Sequence, residues 1–162
     1  MNTTHFRMFG LILLGGLWFT VSACGSPGTL TQEVQEAMKE ALLDEYKAEA
    51  TYNKIIAKFG PTDPFSNIMG AETKHSTSLE KMYDTYQLTP PDNPYKDDDS
   101  SLPDFASVKE ACEGGVQAEI ANIAIYDRWL KMELPDNIKT VFTSLRDASR
   151  DKHLPAFQKC AK

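Results

Sequence analysis

From about residue 30 onwards, apolar side chains return every three or four positions, the period of a helix that buries one face. The pattern predicts four helices. The first runs from Thr31 to Phe59, where Gly60 and Pro61 stop it, and the second from Pro64 to Gln87. A third runs from Phe105 to Lys131, and a fourth opens at Pro135 and Asp136 and continues to Cys160. Between the second and third, LTPPDNPYKDDDSSLPD (residues 88–104) is a loop by its proline, aspartate and serine content. No segment alternates with the two-residue period of a strand.

Each helix carries a seam that steps by threes and fours. Helix one gives Val34, Met38, Ala41, Glu45, Ala48, Tyr52, Ile55 and Phe59. Helix two gives Phe65, Ile68, Glu72, His75, Leu79, Met82 and Tyr86, and helix three gives Cys112, Val116, Glu119, Ile123, Tyr126 and Leu130. The fourth seam is Ile138, Phe142, Leu145, Ser149, His153, Ala156 and Cys160, with one irregular step. A polar group thus interrupts every seam near its middle: Glu45, Glu72 with His75, Glu119, and His153.

In a bundle these residues converge on one layer. Carboxylates and neutral imidazoles in a dry core repel one another or stay unsatisfied unless a cation joins them. The set therefore points to metal ligands. Glu from each of two helices and Glu-x-x-His from each of the other two is the ligand recipe of ferritin-like dimetal proteins. Helices one and three supply the single glutamates, and helix two supplies the full Glu72-x-x-His75 pair.

Four stretches, DEYKAEATY (44–52), AETKH (71–75), AEIANIAIYD (118–127) and ASRDKHLPAF (148–157), resemble a family of bacterial ferritin-like proteins of unknown function. The likeness covers Leu30 to Cys160. It implies an all-α, ferritin-like four-helix bundle: an antiparallel hairpin, a long crossover between helices two and three, and a second hairpin. The loop at 88–104 suits the crossover, because extended chain at ~3.3 Å per residue outreaches a helix rising ~1.5 Å per residue. The resemblance also implies iron, with manganese or zinc as alternatives, as one or two ions. One position departs from the pattern: three residues before His153, where a fourth carboxylate belongs, stands Arg150, beside Ser149. Glu49 and Glu113 are the substitutes to consider, though each also reads as a solvated surface acid. Pro155 adds an irregularity to the fourth helix.

Tyr52 and Tyr126 lie two turns from Glu45 and Glu119 on the same seams. Core packing explains them; hydrogen bonds to ligand carboxylates or a redox role are the alternatives. Met38, Met69 and Met82 read as core, and Asp97, Asp98 and Asp99 as solvated loop without the full pattern of a calcium site.

The first residues concern export. MNTTHFRMFGLILLGGLWFTVSAC has a weakly basic head, a short apolar run and small residues before Cys24, the form of a secretory signal. Val21-Ser22-Ala23-Cys24 resembles the bacterial lipobox, which implies a signal over residues 1–23 and a lipidated Cys24. Residues 24–29 then form a tether and 30–162 the bundle domain. The protein is expected in the bacterial cell envelope, anchored to the membrane through Cys24, with Gly25 favouring the outer membrane facing the periplasm. The chain carries 17 basic and 23 acidic side chains, a net charge of −6. Cleavage would remove only Arg7 among them, so the remainder is more acidic still, which argues against nucleic acid as a partner. A homodimer is left open.

With Cys24 lipidated, Cys112 and Cys160 remain in an oxidising compartment, where pairing is the expected fate. Cys112 lies two turns before Glu119 and Cys160 two turns after His153. In an antiparallel hairpin with both ligands at one level, the two cysteines meet. Two functional classes follow from the whole: a non-haem metal oxidoreductase acting on ferrous iron, peroxide or oxygen, or a non-catalytic interaction module with a degenerate metal site.

Overall fold

The computed structural model describes residues 28–162, so the predicted signal segment and Cys24 lie outside the described residues. Those residues form α1 (Gln32–Phe59), α2 (Phe65–Thr85), α3 (Val108–Trp129), α4 (Asp136–Ala148) and α5 (Leu154–Cys160), with a π-helical turn at Ser149–His153 between the last two. The backbone is helical through Ala148, Ser149, His153 and Leu154, so α4, the π turn and α5 make one continuous rod. No strand occurs among the described residues, and no helix there is long and apolar enough to cross a membrane.

Local chemistry sets the boundaries. Thr31 caps α1 by accepting a hydrogen bond from the Val34 amide at 3.3 Å, and Gly60 ends the helix at φ 81°, a conformation glycine adopts without strain. The third helix begins at Val108 rather than Phe105, because Ser107 caps it: the Glu110 amide donates to Ser107 Oγ, and the Glu110 carboxylate reaches back to accept from the Ala106 amide. The fourth predicted helix departs most. Its irregular seam step, Ser149 to His153, falls on the π turn, where the Leu154 amide donates to the Ser149 carbonyl.

α1 packs along α2, and α3 along α5 and α1. The segment joining α2 to α3 runs alongside the first helix: Lys54 donates to the carbonyls of Asp99 and Leu102, and Lys58 pairs with Asp104. Two apolar clusters fill the interior. One gathers Met38, Leu42, Leu79, Tyr83, Ile138 and Phe142; the other holds Tyr52, Ile55, Phe65, Ala111, Cys112 and Phe157. Tyr52, Phe65 and Phe157 pack with ring centres 5.2–5.6 Å apart.

The seams hold at their polar members and at most apolar ones, and shift by one residue at places in α3 and α5. Gly115 and Asn122 are buried in α3 where Val116 and Ile123 were expected, and Phe157 replaces Ala156 in α5. At Gly115 the reason is close approach, since a Cβ there would stand 2.6 Å from the Phe157 ring.

Cys112 and Cys160 form the expected disulfide, with Cα atoms 5.7 Å apart. It closes a loop separated by 48 residues and ties the start of α3 to the end of α5. In the chain-entropy account such a crosslink stabilises by on the order of 4 kcal/mol. Replacing both cysteines by serine should lower the denaturation free energy by about that amount and leave helical circular dichroism intact. An unchanged urea midpoint would contradict this account.

Candidate metal centre

Between the two apolar clusters lies a polar layer that all four helices build. Glu45 (α1), Glu72 and His75 (α2), Glu119 (α3) and His153 (π turn) are each at most 9% exposed. The five residues predicted as ligands are thus brought together. They fall into two triads, Glu45–Glu72–His75 and Glu72–Glu119–His153, whose ligating atoms lie within 4.8 Å of one another. Glu72 belongs to both.

The carboxylate geometry is symmetric about Glu72. Its Oε2 lies 2.9 Å from His75 Nδ1, and its Oε1 lies 3.1 Å from His153 Nδ1. Glu45 Oε2 reaches His75 Nδ1 at 3.3 Å, and Glu119 Oε2 reaches His153 Nδ1 at 3.6 Å. The two imidazoles stack with centres 5.4 Å apart. Each outer glutamate keeps one oxygen towards a histidine, and its other oxygen is held by a neutral donor. Tyr126 donates to Glu45 Oε1 at 2.6 Å, and Tyr52 donates to Glu119 Oε1 at 2.9 Å. The tyrosine on α1 therefore serves the glutamate on α3, and the reverse.

A second set of polar residues, which the seams did not single out, completes the layer. Asn122 Nδ2 donates to Glu45 Oε1 at 3.1 Å and to Asp44 Oδ2 at 2.9 Å, and its Oδ1 accepts from Ser149 Oγ at 2.8 Å. The missed signal is chemical. Of the neighbours Asn122 and Ile123 the apolar one fits a seam, but buried carboxylates need donors, and only the asparagine supplies one.

Glu49 and Glu113 do not complete the site. Glu49 accepts from Thr73 at 2.9 Å and Ser76 at 3.4 Å, while Glu113 is exposed and lies 3.6 Å from Lys109. Arg150 points outward and pairs with Asp147 and Asp151. Beside it, the interior holds Ser149, which donates to Asn122.

Burial pushes the Glu45 carboxyl up, and the charge of Glu72 adds to this against the pull of His75. Glu72 is held below the ordinary range: burial opposes its ionisation, but the two histidines outweigh it. Burial also disfavours both imidazolium ions, yet the facing carboxylates push His75 up to about 10 and His153 up to about 9. Asp44 rises to about 6, through burial first, with Asn122 opposing and Glu45 adding. Tyr52 and Tyr126 are raised well above 10 by burial and the carboxylates they serve, so they remain neutral donors.

Two features fit a cation. The buried His153 Nδ1 faces two carboxylates yet makes no well-aligned hydrogen bond. Each triad also offers mixed carboxylate and imidazole donors, which suit iron, manganese or zinc.

Neither a family model nor a curated protein matches the chain. Among solved structures it is similar in fold to a hypothetical protein from Methanococcus jannaschii DSM 2661, with a TM-score of 0.71 and 23% identity over 83% of each chain.

Metal-free protein should lose stability as the pH rises. Both histidines have folded-state values above the ordinary 6.5. Their contribution is therefore complete below 6.5 and is lost as pH climbs through about 9 and about 10. Glu45, also raised, acts in the same direction. Thermal midpoints in chelator should fall from pH 6.5 to 10. A midpoint that rises over that range would show that the histidines are not held charged by these carboxylates.

Proposed function

We propose that the polar layer binds a pair of divalent metal ions, iron foremost with manganese or zinc as alternatives, and that the protein is a ferritin-like, envelope-anchored metal protein. Glu45 and His75 would hold one ion, Glu119 and His153 the other, and Glu72 would bridge them. The observation that carries this reading is the sharing of Glu72 between two buried Glu–Glu–His triads. Helix order and the long segment along α1 fit the ferritin-like crossover.

Bound ions would supply Lewis acidity and, for iron or manganese, one-electron chemistry, the basis for oxidising ferrous iron or reducing peroxide or oxygen. The chain's own residues set the conditions. Tyr126 and Asn122 orient Glu45, Tyr52 orients Glu119, and the two apolar clusters shut bulk water out from either end. Release of the histidine protons would free the Nδ1 atoms to hold the ions, so metal affinity should rise with pH. A second reading, a non-catalytic interaction module with a degenerate site, draws on Arg150, which faces solvent where the dimetal pattern has a carboxylate.

Replacing Glu72 by Gln together with His75 by Ala should abolish stoichiometric iron, manganese or zinc, measured by elemental analysis, and preserve helical circular dichroism. Unchanged metal content in that variant would sink the bridged reading. A parent protein that takes up no metal under any loading condition would leave the interaction module as the better account.

Anchoring is tested separately. Cys24→Ser should move the protein from the membrane fraction to the soluble fraction, since the diacylglycerol and amide-linked acyl chain on that cysteine would be its durable tether. An intact mass showing an unmodified mature amino terminus in the wild type would contradict lipidation.

A further inference from the structure

The face of the polar layer between α1 and α3 is not closed by packing. A cleft of about 410 Å³ enters there from the surface and ends on Glu72, Glu119 and Tyr52. Its walls are mostly small or apolar, Ala48 and Ile55 from α1 and Gly114, Ala118 and Ala121 from α3, with Lys47, Thr51 and Gln117 as their polar members. Pro103 and Phe105, where the long connecting segment meets α3, form its roof.

That roof is fixed in place. Lys54 and Lys58 tie the segment to α1 through Asp99, Leu102 and Asp104, and Leu102 is buried. The Phe105 ring lies on Gly114, where a Cβ would stand 2.6 Å from it. The opening therefore has a built wall rather than a loose edge.

Size and polarity narrow what fits. One water needs only ~10–15 Å³ of such space, whereas organic ligands occupy pockets of ~300–1,000 Å³. Metal ions, dioxygen or peroxide would leave most of the cleft unfilled. Among its polar groups Asp44, Glu72 and Glu119 present carboxylate oxygens, Lys47 is the one cation among the described residues that line it, and Asp44 Oδ2 is already engaged by Asn122. An anion entering there meets three carboxyl groups against the Lys47 cation, and a cation loses hydration against the largely apolar walls.

We propose that this cleft binds a small neutral organic molecule with an apolar body and one hydroxyl group, of phenol to naphthol size, its hydroxyl donating to Asp44 or Glu119. The proposal deepens the metal-centre reading by giving that centre an organic substrate class, and the binding itself needs only the cleft.

The test is a fluorescence titration of the purified protein with 2-naphthol, metal-free and after loading with zinc. Saturable one-to-one binding is expected in both forms. Ala118→Phe, which fills the cleft from an exposed backbone position, should weaken binding about tenfold or more by overfilling. Ala124→Phe, on the same helix but outside the cleft, should leave it unchanged, and octanoate should not displace 2-naphthol from the metal-free form. Absence of saturable binding in both forms would overturn the proposal, as would undiminished affinity in Ala118→Phe or displacement by octanoate at equal concentration. If Ala118→Phe loses helical circular dichroism, Ala121→Leu replaces it with the same expectations. Metal content of the same samples is read separately: binding without metal uptake refutes the dimetal centre and keeps the cleft, and metal uptake without binding does the reverse.

Discussion

Glu72 divides its two oxygens between His75 and His153, at 2.9 and 3.1 Å, and this shared contact is the point on which the interior turns. A carboxylate this deep is destabilising unless positive charge lies against both of its oxygens. In the metal-free chain the charges of the two imidazolium ions meet that need, which is why both histidines hold their protons far above the ordinary range while Glu72 falls below its own. A pair of divalent ions would meet the same carboxyl groups from the same positions.

The second constraint is that the remaining carboxylate oxygens be satisfied without adding charge. Tyr52, Tyr126 and Asn122 do this with neutral donors, and burial keeps both phenols protonated. Because each tyrosine reaches across to the other helix, α1 and α3 are locked in one register: a slide along the axis would break both contacts together. The apolar clusters above and below supply cohesion. The crossed tyrosine pairs fix which glutamates share a level.

Much of this was legible in the sequence because the period of the apolar residues and the polar interruptions agree. The helices, the five-residue cluster and the cysteine pair all rest on spacing along a helical face, and spacing is what a sequence displays directly. Asn122 and Gly115 were hidden for a different reason. Each sits beside an apolar residue that satisfies the seam, and what buries it is a partner on another helix: the Glu45 carboxylate for Asn122 and the Phe157 ring for Gly115. Hydrophobic period alone does not encode such partners. The start of α3 was misplaced because Phe105 belongs to the apolar pattern but packs from the loop, whereas Ser107 and Glu110 carry the capping chemistry.

The fourth rod shows how one irregular step resolves a conflict between period and chemistry. Leu145, Ser149, His153 and Phe157 are all buried, yet they are spaced by fours. At ~100° per residue a straight α-helix would carry the last of them ~120° away from the first. The π turn absorbs about one residue's rotation within Ser149–His153. Ser149 can then face Asn122 while His153 faces Glu72 and Glu119, and Phe157 still packs on Gly115. The same turn carries Arg150 outward to Asp147 and Asp151. The outward position of Arg150 and the presence of the wider turn are thus one structural fact: with residue 150 facing solvent, the Ser149 hydroxyl four residues before the histidine fills the space inside, and Asn122 links it to Glu45.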